Sequence, residues 1–212
     1  MKQVIVFFDI DGVIFDSRKF FTGFCEKFIQ DNSLGKDEMG KLQNFNQEVK
    51  KEKGFFDPQA FLAKILFRYS VTKEDLEKLW LNEESFRECL LVDENFLKQI
   101  QEKAVIGIFS KGEITFQKKK IEEFNSLINP EDIYIFENKI VRINEVLAKY
   151  KGYKIYMVDD NPKVLENFKQ IDNLVYTILI RTGKAESINN EIDAVIDNVS
   201  QLVPLLRQQI TP

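Results

Sequence analysis

Apolar residues along this chain gather in two kinds of pattern. Short, nearly unbroken runs stand at Val4–Phe8, Val105–Phe109, Ile133–Phe136, Ile155–Val158 and Val175–Ile180, with a weaker one at Ala194–Ile196. Runs of this length bounded by turn residues predict strands buried on both faces, as in a parallel sheet. Between them apolar positions recur at helical spacing. Phe116, Ile121, Phe124 and Ile128 predict a helix over 115–128, and Ile140, Ile143, Val146, Leu147 and Tyr150 one over 140–150. A third spans 162–171, opened by Asn161-Pro162 as cap and first-turn pair. Strands alternating with such helices imply an α/β fold: a doubly wound, mostly parallel, Rossmann-like sheet.

The alternation fails between the first strand and the second. Residues 17–97 carry only helical signals: Phe20, Phe21, Phe24 and Phe28, then Phe61, Ile65, Leu66 and Tyr69, then Leu76, Leu79 and Trp80. This stretch is far too long for a crossover and large enough for a small core of its own. It predicts a helical insert, with residues 1–16 and 98–212 forming the α/β core. The polar stretch 32–53, punctuated by Gly35, Gly40 and Gly54, is its expected mobile part. Lys118-Lys119-Lys120 reads most simply as a solvated helix face.

Composition adds a few exclusions. There is no histidine, which removes Ser-His-Asp triads, Cys-His dyads, His-ligated zinc and imidazole bases. Catalysis would have to run on carboxylates, Lys, hydroxyls or a metal held by oxygen. Cys25 and Cys89 have no metal-type spacing, and a disulfide between them is not expected. With 34 acidic and 30 basic residues the net charge is −4, which argues against a nucleic-acid partner. No apolar run reaches the ~20 residues that span a bilayer, so a cytoplasmic protein with no membrane partner is expected.

In open parallel sheets ligands bind beyond the carboxyl ends of the strands. Those ends carry Asp9 and Asp11, then Ser110-Lys111-Gly112, then Lys139, then Asp159-Asp160. Carboxylates, a hydroxyl and an ammonium would therefore meet on one rim, a set of hard oxygens suited to Mg²⁺. A carboxylate fixed at a strand end can act as nucleophile. A second one two residues on can move protons, and Gly12 lets the backbone approach a substrate.

The segments VFFDIDGVIFDS, Ser110 after IGIF, Lys139 after IYIF, and MVDDNP resemble the four motifs of the haloacid dehalogenase-like (HAD) hydrolase superfamily. The resemblance covers the whole chain, with the helical insert where that family places its C1-type cap. It implies a Mg²⁺-dependent phosphatase acting on a small phosphorylated metabolite. Asp9 would attack phosphorus to form an aspartyl-phosphate, and Asp11 would serve as acid and then base. Mg²⁺ would be held by the Asp9 side chain, the Asp11 carbonyl and Asp160, with Asp159 behind them or acting through water. Ser110, Lys139 and the backbone N–H groups of Lys111 and Gly112 would hold the phosphoryl oxygens. Lys118, Lys119 and Lys120 are alternative ammonium donors, and a sugar-phosphate mutase or an idle scaffold are alternative functions on the same motifs. The stretch Lys50-Lys51-Glu52-Lys53-Gly54-Phe55-Phe56 is the candidate loop for the leaving group, since it pairs basic side chains with two aromatics and a flexible Gly.

Overall fold

The strands expected from the apolar runs form one sheet. In a computed structural model describing residues 3–181 and 192–209, they are β1 (Val4–Phe8), β2 (Val105–Lys111), β3 (Ile133–Phe136), β4 (Lys154–Asp159), β5 (Tyr176–Ile180) and β6 (Ala194–Ile196). All pairings are parallel, in the order β3-β2-β1-β4-β5-β6. The chain builds outward from β1 in one direction, then returns to build from β4 in the other. The switch point lies between β1 and β4, where Phe8 pairs with Val158, so Asp9 and Asp159 leave the sheet side by side.

Alternation along the strands divides the core in two. Ile5, Phe7, Phe109 and Met157 face α8 (Ile143–Lys149) and α9 (Pro162–Ile171), whose Val146, Leu165 and Phe168 are fully buried. Phe7 also needs Gly107 on the next strand: a Cβ there would lie 2.4 Å from its ring. Val6, Phe8, Ile106 and Ile108 face the other way, toward α6 (Glu94–Gln101) and α10 (Leu202–Gln209). The same cluster continues without a break through Phe15 into α1 (Ser17–Asp31), α3 (Pro58–Arg68), α4 (Lys73–Trp80) and α5 (Glu83–Arg87). The outgoing and returning segments pair at this junction. The Asp16 N–H donates to the Cys89 carbonyl and the Leu91 N–H to the Ile14 carbonyl, both at 2.8 Å.

Three local expectations are corrected. The polar stretch expected to be mobile contains a helix, α2 (Glu38–Lys53), ended by Gly54 in the left-handed conformation at φ 78°. Leu42 and Val49, seven residues apart, are fully buried on one face, and Met39 and Phe45 pack beside them. Burying two such side chains is worth roughly 3–6 kcal/mol, against about 1 kcal/mol for Gly40 within the helix. The helix expected over 115–128 stops early: α7 is Ile114–Lys120, and a single 3₁₀ turn covers Glu122–Phe124. A 3₁₀ turn buries Ile121 and Phe124 as well as an α-helix would, so apolar spacing does not separate the two. Similarly, residues 140–142 form a 3₁₀ turn ahead of α8. Both cysteines are free and buried. Among the described residues, no helix is long and apolar enough to cross a membrane.

Candidate active site

The strand ends bring together the side chains singled out by the sequence. Asp9, one step beyond β1, is buried; its Oδ1 accepts from the Ile10 N–H at 2.8 Å. Its Oδ2 lies 2.9 Å from the Lys139 ammonium, which lies 2.6 Å from Asp159 Oδ2. Lys139 follows β3 and is 4% exposed, and Asp159 ends β4 at 0%. An ion triad is thus sealed at the switch point. Burial alone would lower the Lys139 pKa, but Asp159 and Asp9 outweigh it and hold the ammonium well above its ordinary value. Asp159 moves up to about 7: burial raises it most, Lys139 pulls it down, and Asp9 pushes it up again. Its second oxygen accepts from the Asn161 N–H at 2.8 Å, which helps open α9. Ser110, fully buried in β2, comes from the next strand on the other side of β1.

Asp9, Asp159 and Asp160 each present a carboxylate oxygen within 4.8 Å of the others. This is the donor chemistry a small divalent cation takes, and Mg²⁺ fits it. Asp160, unlike Asp159, is only partly buried. Its position depends on Gly12, where φ is 76° and a Cβ would fall 2.4 Å from Asp160 Oδ2. Gly12→Ala is therefore expected to displace that carboxylate. Half-saturation of the site by a divalent cation should need at least about tenfold more metal in this variant, read by calorimetric titration with Mg²⁺.

Asp11 is held apart from this triad. Lys120 Nζ lies 2.5 Å from its Oδ1 and Gln117 Nε2 2.7 Å from its Oδ2, and the Ser17 hydroxyl also donates to it. Burial would raise the Asp11 pKa, yet Lys120 with these hydrogen bonds brings it below the ordinary carboxylate value. Asp11 thus rests as a clamped anion. Gln117 also reaches the Lys111 carbonyl at 2.7 Å and Ser110 Oγ at 3.3 Å, tying the second strand end to the first.

Three expectations change here. Lys120 is not solvated: it is 4% exposed and lies 4.4 Å from the Phe116 ring centroid as well as on Asp11. Its place one helical turn after Phe116 was the available signal, since it falls on the apolar face. Of its neighbours, Lys118 is exposed and Lys119 pairs with Glu122, so Lys139 is the ammonium beside Asp9. The Gly112 N–H does not point to a phosphoryl site, because β2–β3 pairing runs one step further and it donates to the Phe136 carbonyl at 3.0 Å. Gly112 leaves room for Gln117 instead, whose Nε2 would lie 2.7 Å from a Cβ there. The Lys111 side chain is exposed.

Beside Asp11 opens a cavity of about 550 Å³ between the strand ends and the helices α1, α2 and α4. From the candidate loop, Lys50, Gly54, Phe55 and Phe56 line it. Lys50–Lys53 is the last turn of α2 rather than loop; Lys51 faces solvent and Lys53 lies 3.9 Å from Asp57. Helical geometry turns Lys51 away from Lys50; Lys53, three residues on and near the same face, reaches Asp57 instead, so only Lys50 of the three lines the cavity.

The sequence matches no family model and no curated protein. The fold, however, is similar to solved structures over nearly the whole chain. A haloacid dehalogenase-like hydrolase from Burkholderia xenovorans superposes with a TM-score of 0.75 at 18% identity, covering 96% of this chain and 98% of that one. A HAD-hydrolase from Bacillus subtilis, in a structure bound to magnesium, gives 0.66 at 14% over 98% and 100%. A defluorinating L-2-haloacid dehalogenase gives 0.67 at 12% over 97% and 95%. The chain has the haloacid dehalogenase-like fold.

Proposed function

We propose that this chain is a Mg²⁺-dependent phosphatase that hydrolyses a small phosphate ester through an aspartyl-phosphate on Asp9. The observation that carries the reading is the trio Asp9, Asp159 and Asp160 within 4.8 Å, with Lys139 buried among them. A site crowded with carboxylates repels an anionic substrate unless cations offset it. Lys139 supplies one such charge, and Mg²⁺ held by Asp9, Asp160 and the Asp11 carbonyl would supply the rest and polarise the phosphoryl oxygens.

In this reading an Asp9 oxygen attacks phosphorus, and the bond to the leaving oxygen breaks. That oxygen takes a proton from Asp11. Water then attacks the acyl phosphate, Asp11 takes its proton, and inorganic phosphate leaves with Asp9 restored. Ser110 and Lys139 hold the phosphoryl oxygens. The base half of Asp11's task suits the ionised state described above. The acid half requires Asp11 to leave Lys120 and gain a proton once substrate is bound. The helices α1–α5 form the cap, and the cavity beside Asp11 takes the leaving group.

Asp11 also weighs against dehalogenation. A halide departs as a stable anion and needs no proton, so that step gives a proton donor at the strand end no task. The test is hydrolysis of a generic aryl phosphate with and without Mg²⁺: turnover that vanishes in excess chelator supports the reading. Turnover that persists in chelator, or release of halide from a 2-haloacid, contradicts it. Asp160→Ala should weaken activation by Mg²⁺ more than Asp159→Ala does, because Asp159 is already spent on Lys139 and Asn161. A metal titration of both variants gives the order.

A further inference from the structure

The cavity beside Asp11 carries more positive charge than the phosphoryl group alone requires. Arg18, Lys50, Lys111 and Lys120 line it, against the single carboxylate of Asp11. Lys120 is engaged with Asp11; among the described residues, Arg18, Lys50 and Lys111 form no ion pair. This is notable in a chain whose net charge is −4. Three uncommitted cations around one pocket raise its potential and ask for an anion. Lys50 is exposed to solvent on one side; the partial desolvation it does undergo lowers its pKa, which Asp11 opposes and the like charge of Lys120 deepens. A ligand anion would relieve that repulsion.

Two further features describe the rest of the ligand. Phe21, Phe55 and Phe56 are only half-buried where they line the cavity, next to the buried Trp80 and Phe116. They offer apolar faces to a flat or compact body. On α2, Asn46 stands one turn before Lys50 on the same wall, and its Oδ1 is buried with no hydrogen-bond partner. A buried acceptor left unpaired is costly, and a rotation of the Asn46 side chain toward the cavity would let a ligand donate to it. The volume is within the usual range for small-molecule sites, about 300–1,000 Å³.

We propose that the substrate is a phosphate monoester whose leaving group bears a second anionic group on a ring-sized apolar body, with Lys50 and Arg18 meeting that second anion. The proposal rests on the phosphatase reading, in which this cavity holds the leaving group. It assigns specificity to two cations outside the reacting centre.

The test compares 4-carboxyphenyl phosphate and 4-(phosphonomethyl)phenyl phosphate with the methyl ester of the first. The ester is neutral at the distal end and has the better leaving group, so intrinsic reactivity works against the expected result. With Mg²⁺ at low salt, kcat/KM for at least one of the two probes with a distal anion should exceed that of the ester at least about tenfold, the scale of a charge-assisted hydrogen bond. The two anionic probes separate a carboxylate from a phosphate-like partner. The ratio should fall as KCl is raised, and toward unity in Lys50→Gln combined with Arg18→Gln. A ratio near one in the unmodified protein, or one that the double variant leaves unchanged, overturns the proposal. Should no probe turn over, the phosphatase reading falls, and calorimetric binding of the same compounds still decides the second-anion site. At least about tenfold tighter binding of an anionic probe than of the ester supports it, and equal affinity overturns it.

Discussion

Asp9→Asn is expected to lower turnover of any phosphate ester by a factor on the order of 10⁴ or more, with the fold retained. The carboxamide matches the carboxylate in shape, and its oxygen can still accept from the Ile10 N–H, the 2.8 Å bond made by Asp9. It cannot serve as the attacking oxygen anion. Lys139 meets the carboxamide NH2 where it had an acceptor and must shift from it, but it keeps Asp159 at 2.6 Å, so no buried charge is stranded. Unfolding midpoints of the two proteins should therefore lie close together while rates diverge. Acid quench during turnover should trap a hydroxylamine-labile phosphoenzyme in the unmodified protein and none in Asp9→Asn. A residual rate above about one per cent would place the nucleophile elsewhere.

The parts of this molecule that could be read from the sequence are those in which one residue type has one physical outcome. Ile5 to Phe8 are apolar without interruption because β1 is buried on both faces, and that leaves a run no helix or edge strand would need. Asp9, Ser110 and Asp159 could be placed because a parallel sheet delivers every strand end to the same rim; Lys139, three residues past β3, needed the motif resemblance as well. The contacts missed are those set by tertiary distance. Lys120 reaches Asp11 across 109 positions, and Gln117 across 106. In the sequence Lys120 closes a run of three lysines; its spacing of four from Phe116 sets it on the apolar face, but nothing local names Asp11 as its partner. Gly112 was misread for a similar reason: its N–H is used by Phe136 because β3 happens to pair one residue past the end of β2. The helix α2 was masked because its stripe of Met39, Leu42, Phe45 and Val49 is set among polar residues and interrupted by Gly40, composition that also suits a loop.

Lys139→Met should cost about 3–5 kcal/mol of stability at mildly alkaline pH, besides removing activity. The methionine fits the stem but leaves Asp9 and Asp159 buried beside each other without the cation now 2.9 and 2.6 Å away. The pH dependence identifies which group bears the cost. Asp159 has its folded pKa at about 7, above the roughly 3.9 of a free Asp side chain. Between those values the folded state holds a proton that the unfolded state has released, so this group's contribution to stability falls as pH rises through the window. Lys139 now restrains that upward shift; without it the Asp159 pKa climbs further and the window extends to higher pH. The deficit of Lys139→Met should therefore be largest near pH 8–9 and shrink as pH is lowered toward about 5, the reverse of the acid lability expected when an exposed carboxylate pair is broken. Lys139 itself, with its folded pKa raised, contributes stability below the ordinary lysine value and loses it only as pH rises past that value. Urea midpoints of both proteins across this range provide the measurement. A deficit that is flat, or that grows on acidification, would mean that Asp159 is not the group left stranded. Added Mg²⁺ should recover part of the loss at alkaline pH, because a cation binding the folded state at Asp9 and Asp160 stabilises it by mass action and offsets the same charges that Lys139 does.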